Sequence, residues 1–306
     1  MTTAVRRLRP WLGTYVAIEA AADDPAQAAR AIDAAYAEVA TIHAAMSFHS
    51  ADSDLARLHR EAHAAPTPVS HHTWAVLDLA LTLARASGGV FDPTVAPTLV
   101  RHGALPCPAA PPPDPRANWR DIELGDARQV RFRRPLWIDL GGIAKGYAVD
   151  LAVETLLAHG AVGGTVNAGG DLRVFGDTPT AMPLAVRNPA SPAAPIFLGA
   201  LRNCAVATSG EFFLGRPGDL GGCSPIVDPA GGTREARARS VTVIAGRCAV
   251  ADGLTKVVSL SGRAAQALLT RFDATAAIVD DTDGVHAAPG FWQALGHANP
   301  PDVLHA

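Results

Sequence analysis

The sequence predicts an α+β fold in one domain. Three observations carry this: segments of strand period and of helix period both occur, they do not alternate regularly, and apolar residues are abundant. Of 306 residues, 48% are hydrophobic and 18% charged, ample for a sizeable core and unlike a disordered chain. No Gly/Ser linker or shift in composition divides the chain, so residues 1–306 read as a single domain.

The elements follow in order. Thr14 to Ala20 alternates with period two, as a half-buried strand does. Asp24 can then cap a helix with Pro25 at its first position. Ile32, Tyr36, Val39, Ile42 and Met46 recur on one face of it. A second helix starts near Thr73, carries Trp74, Leu77, Leu81 and Ala84 inward, and ends at Gly88-Gly89. Six prolines between Leu105 and Arg116 impose a surface loop. Beyond it Leu136–Leu140 reads as a short buried strand, Ala144–His159 as a helix, and Thr165–Asn167 as a strand. Cys204–Thr208, Ser240–Ala245 and Ala274–Val279 read as strands, and Ala249–Leu260 and Arg263–Phe272 as helices.

Composition also excludes functions. A net charge of −3 with interspersed signs leaves no overall basic footprint for nucleic acid, so an anionic ligand needs a local site. Cys107, Cys204, Cys223 and Cys248 form no CxxC pair, which argues against a zinc site or redox dithiol. No apolar run reaches the roughly 18 residues of a bilayer span. The basic start lacks the apolar region of an export signal, so a cytoplasmic location is expected.

Four clusters carry chemistry. In Asp139-Leu-Gly-Gly-Ile-Ala-Lys145 two glycines precede a helix start, where free N–H groups and Lys145 suit a phosphate or pyrophosphate. The bland alternative is a plain turn with a solvated lysine. Asp92, before Pro93, is either a ligand-facing carboxylate or a capping turn residue. Val166 to Asp171 is a glycine-permitted ligand approach or a hairpin turn. Asp252 and Thr255, three apart on a helix, offer hard oxygens of the kind Mg²⁺ takes, or else an N-cap with a first-turn threonine. Elsewhere, His59 and His63 read as a solvated pair, His71-His72 as a polar helix lead-in, and Ser209 as a ligand-contacting turn.

In order along the chain, these segments resemble the ApbE family of FAD:protein FMN transferases. The similarity covers Trp11-Leu12-Gly13-Thr14, Met46-Ser47 with Ser53-Asp54-Leu55, and Gly89 to Pro97. It continues through Asp139 to Asp150, Asn167 to Asp171, Ala207 to Gly210, Ile226 to Pro229 and Ala251 to Leu254. The resemblance implies one T-fold-like domain of mixed or antiparallel sheets flanked by helices. It also implies FAD as substrate, Mg²⁺ as cofactor, and a partner protein whose threonine is flavinylated as AMP leaves.

By motif, Asp92, Asp139 and Lys145 would contact FAD, with Leu12, Phe48, Phe91 and Ile226 lining its site. The Gly142 carbonyl, Asp252 and Thr255 would hold the metal. Two positions depart from the family pattern. Pro225 stands where the family places a histidine suited to be the general base, and Lys256 where it commonly has Thr or Ser. The catalytic base is therefore unassigned. An FAD pyrophosphatase and a non-catalytic flavin carrier are the alternatives.

Overall fold

A computed structural model describes residues 2–176, 181–189, 191, 193–210, 226–230, 239–282 and 284–298. Within it the chain divides by its contacts into two compact units. The first holds residues 1–40, 145–212 and 237–306; the second holds 41–144 and 213–236.

The chain opens with a hairpin of β1 (Thr3–Trp11) and β2 (Thr14–Ala22), turned at Leu12-Gly13. Both turn residues take positive φ, 57° and 72°, as a two-residue turn matching strand twist requires. Leucine rarely adopts that conformation. Leu12 is held by packing on the core below. Next come α1 (Pro25–Met46), with the predicted five residues all buried, and α2 (Asp54–Glu61). β3 (Thr67–Pro68) and α3 (His71–Ala86) follow; α3 starts two residues before the expected Thr73 because Ser70 caps it through Thr73 N. The second unit is completed by α4 (Ala96–Arg101) and by β4 (Ile122–Leu124) and β5 (Gln129–Phe132), in a small antiparallel sheet ordered β3-β5-β4.

α5 (Ala144–Ala158) leads into the hairpin of β6 (Gly163–Ala168) and β7 (Asp171–Gly176), then β8 (Met182–Val186) and β9 (Ile196–Leu201). β10 (Ala205–Gly210), β11 (Arg239–Ala245), α6 (Cys248–Ser261), α7 (Gln266–Arg271), β12 (Thr275–Asp280), β13 (Val285–Ala287) and α8 (Phe291–Ala294) end the described chain. The main sheet is antiparallel throughout, ordered β1-β2-β6-β7-β10-β11-β12-β13. β8 and β9 pair separately.

Successive strand residues point to opposite faces, so a sheet buried on both sides needs apolar residues at both parities. β7 shows this: Phe175 joins the cluster of Ile18, Tyr36, Val153 and Val166, while Leu172 and Val174 join that of Ile196, Ile244, Val279 and Phe291. The Tyr36 hydroxyl bonds Val16 O at 2.8 Å and Arg7 O at 2.9 Å, fastening α1 to the first hairpin. No helix among the described residues is long and apolar enough to cross a membrane.

The α+β expectation is met, and every predicted helix is present. One predicted strand is not. Leu136–Leu140 is largely buried and forms no ladder, because its backbone groups are taken by other partners. Ile138 N and O lie 3.0 and 3.1 Å from His59 Nε2, and Asp139 N donates to Pro93 O at 2.8 Å.

Candidate active site

Two carboxylates and two ammonium groups meet near the N-terminal ends of α5 and α6. Gly146, in the first turn of α5, permits the approach: a Cβ there would lie 2.4 Å from Cys248 O. One turn on, Asp150 reaches across and accepts from Cys248 N at 2.9 Å and Ala249 N at 3.0 Å. Arg247, at the N-cap of α6, gives no side-chain cap bond, so a carboxylate from another helix performs that task. Arg173 neutralises Asp150 at 3.0 Å.

With α6 fixed this way, Asp252, one turn beyond Cys248, faces α5. It is fully buried, and its Oδ2 accepts from Gly146 N at 3.1 Å. The N-cap reading of Asp252 therefore fails; it sits in the second turn of a helix that begins at Cys248. Lys145 Nζ lies 2.5 Å from Asp171 Oδ2 and 3.4 Å from Asp252 Oδ2. Lys256 Nζ pairs with Asp252 Oδ1 and donates to Asp252 O at 3.0 Å. Thr255 Oγ1 donates to Asp252 O at 2.7 Å and lies 2.8 Å from Ser209 Oγ on β10.

Charges here shift one another strongly. Burial works against the charge on Lys145, but Asp252 and Asp171 outweigh it and hold the ammonium above the ordinary lysine range. Burial would likewise lift Asp252, yet Lys145 and Lys256 keep its carboxyl below the usual value. Asp171 goes the other way, raised by burial and by the neighbouring Asp252 charge. Asp171 closes the hairpin turn at Gly169-Gly170, where φ is 66° and 102° and Asn167 Oδ1 accepts from Gly170 N. The hairpin reading of this segment is correct, and it also delivers a charged partner to Lys145.

The remaining expected residues lie as follows. Leu12 is at the turn of the first hairpin, in the same unit as Lys145. In the second unit, Asp92 Oδ1 accepts from Thr94 N at 2.8 Å and Thr94 Oγ1 at 2.7 Å, while burial pushes its pKa up. Asp92, Thr94, Arg101, Asn118, Val227 and Asp228 line a cleft of about 230 Å³, and buried Ile226 adjoins it in sequence. The Asp139 N to Pro93 O bond joins the Asp92 and Asp139 segments. Asp139 Oδ1 accepts from Gly141 N at 3.1 Å, beside partly buried Gly142. Phe91 is buried, and Phe48 packs against the His59 ring at 5.3 Å. Pro225 lies outside the described residues.

His59 corrects the sequence reading. It is buried rather than solvated; only His63 is exposed. Burial lowers its pKa from 6.5 to about 4, so the native ring is neutral while it secures the Ile138 peptide. The unfolded chain protonates near 6.5 and the native state only near 4. Stability is therefore full above about pH 6.5 and is lost as pH falls toward 4, by up to about 3 kcal/mol. Urea unfolding between those limits is expected to show this slope in the wild type and a shallower one in His59→Gln; equal slopes would refute the assignment.

Mg²⁺ prefers carboxylate oxygens that are free to face it. Here Oδ1 of Asp252 carries Lys256, Oδ2 carries Lys145 and Gly146 N, and Thr255 is engaged by Asp252 O and Ser209. Each ammonium about 4 Å from a dication would repel it by roughly 8 kcal/mol at an effective dielectric near 20. As arranged, Asp252 and Thr255 do not fit a divalent ion. No group of three or more His, Cys, Asp or Glu among the described residues supplies another metal site.

Known proteins share this arrangement of elements. The family model described as "ApbE family" matches residues 12–279. The chain belongs to the ApbE family. Among ApbE-family relatives, an FAD:protein FMN transferase of Treponema pallidum is 30% identical over 246 residues, covering 71% of this chain and 67% of that protein. Another so named, from Vibrio cholerae, is 30% identical over 230 residues, covering 71% and 69%. The solved flavin transferase ApbE from Vibrio cholerae superposes with TM-score 0.76 at 24% identity, over 95% of this chain and 99% of that one. The ApbE protein of Thermotoga maritima gives 0.79 at 24%, over 96% and 99%. These structures share its α+β fold.

Three residues of the cluster have contacts that the sequence did not assign to them. Asp171 was weighed within a segment read as a ligand approach or a hairpin turn, Ser209 as a ligand-contacting turn residue that the structure instead places on β10, and Asp150 only as the last letter of a motif. Each acts on a residue far along the chain, and their one local signal was membership of a family segment.

Proposed function

We propose that this ApbE-family chain transfers FMN from FAD to a threonine hydroxyl of an acceptor protein and releases AMP. The observation that carries the reading is Lys145: a buried pair of carboxylates holds its ammonium in the first turn of α5, three residues after the Gly141-Gly142 pair. The Ala144 and Gly146 N–H groups of that turn are engaged by Leu140 O and Asp252, so the fixed cation is what suits a pyrophosphate, and phosphoryl transfer depends on positioning and charge neutralisation rather than covalent help from the protein.

In this reading Asp92, Asp139 and Lys145 contact FAD, and Leu12, Phe48, Phe91 and Ile226 line its site. The acceptor oxygen bonds to the FMN-side phosphorus. The bond from that phosphorus to the bridging oxygen breaks, the electron pair leaves with AMP, and the hydroxyl proton passes to a base or to solvent. Mg²⁺, the cation the family resemblance implies, would supply Lewis-acid charge on the pyrophosphate if Asp252 and Thr255 were freed to bind it. No step is derived through it, because both are engaged.

Mass spectrometry of a threonine-bearing acceptor incubated with the protein and FAD tests this. An adduct of FMN mass on the threonine, with AMP released, is the expected result. Free FMN and AMP without an adduct would mean water is the acceptor, and intact bound FAD would mean a carrier; either outcome overturns the proposal.

A further inference from the structure

We propose that Lys256 is a resident cation that takes the place of a divalent metal at Asp252, so that this chain handles its pyrophosphate substrate without Mg²⁺ at that carboxylate. The inference deepens the FMN-transfer reading and rests on it for the identity of the substrate. Lys256 is one helical turn beyond Asp252, and its ammonium touches both Asp252 Oδ1 and Asp252 O. Those two oxygens, with the adjacent Thr255 hydroxyl, are the hard donors of this stretch. An ammonium has three N–H donors and no acceptor, so once seated there it excludes a cation instead of helping to bind one.

Charge counting points the same way. Asp171 and Asp252 contribute two negative charges, and Lys145 and Lys256 two positive, so the paired cluster is neutral without any ion. A substrate anion arriving at a neutral cluster is drawn by the ammonium faces not turned to carboxylate. The Lys145 and Lys256 side chains keep 31% and 21% of their surface exposed, while both carboxylates are buried at 4% and 1%. The solvent-facing side of the cluster is thus cationic. Lysine serves as a point charge for phosphate, the same service a bound dication gives, with the difference that it cannot be chelated away.

The test titrates Mn²⁺ into the substrate-free protein, followed by electron paramagnetic resonance, and measures FMN transfer with and without EDTA. Wild type is expected to show no saturable Mn²⁺ site and undiminished transfer in EDTA. Lys256→Thr, which frees Asp252 Oδ1 and adds a hydroxyl, is expected to gain one saturable Mn²⁺ site and to lose transfer in EDTA. A saturable Mn²⁺ site in wild type that disappears in Asp252→Asn, or EDTA-sensitive wild-type transfer, would overturn the inference. If wild type transfers no FMN under either condition, the functional reading fails, and the Mn²⁺ titration still decides the role of Lys256. Should Lys256→Thr not fold, Lys256→Met and the wild-type titration carry the same decision.

Discussion

Asp252→Ala is expected to lower the rate of FMN transfer by about 10²- to 10³-fold, the usual cost of losing a preorganised electrostatic contact, while leaving FAD affinity unchanged or tighter. The two effects separate because Asp252 organises the lysines without itself being attractive to an anion. Its carboxylate fixes Lys256, contributes to fixing Lys145, and accepts from Gly146 N. Without it the cluster gains net positive charge, which favours the pyrophosphate, but the ammonium groups lose the positions that favour the transition state. Single-turnover rates and FAD titration check this; a parallel loss of both would mean that Asp252 merely supports the fold. Urea unfolding of the variant is the necessary control, because Asp252 is fully buried.

Asp150→Ala is expected to cost about 3–5 kcal/mol of stability, the range for breaking a buried ion pair by removing one partner. Two N–H groups at the start of α6 lose their acceptor, and Arg173 is left without its carboxylate. Asp150→Asn keeps one amide oxygen for the cap and is expected to lose less. Chemical denaturation of the three proteins measures both effects. Equal stability of wild type and alanine variant would show that water replaces the cap. Because α6 carries Asp252 and Thr255, the alanine variant is also expected to lose transfer at temperatures where it remains folded.

The sequence by itself determined the α+β class, the longer helices, and five of the eight strands of the main sheet, β2, β6, β10, β11 and β12. Ile32, Tyr36, Val39 and Ile42 mark a helix face, and Tyr15 to Glu19 a strand, because those periods are set by the geometry of neighbouring residues in one element. It also supplied the segments around Asp92, Asp139, Lys145 and Asp252. A glycine pair before a helix and two polar residues three apart are local patterns. Lys256 was legible as an anomaly, four residues beyond Asp252.

Tertiary structure decided what those residues do. Lys145 meets Asp171 across 26 positions and Asp252 across 107, and Asp150 caps a helix that begins 98 positions later. His59 holds a peptide 79 residues away, which is why a buried apolar run that reads as a strand is not one. Periodicity records which face of an element is buried and carries nothing about which element lies opposite. Ion pairing in low dielectric depends on that neighbour, so the charge state of the cluster and the pairing of Lys145 with Asp171 and Asp252 were fixed only when α5, α6 and the β6–β7 hairpin packed together, whereas the Lys256–Asp252 pair, four apart on α6, is local.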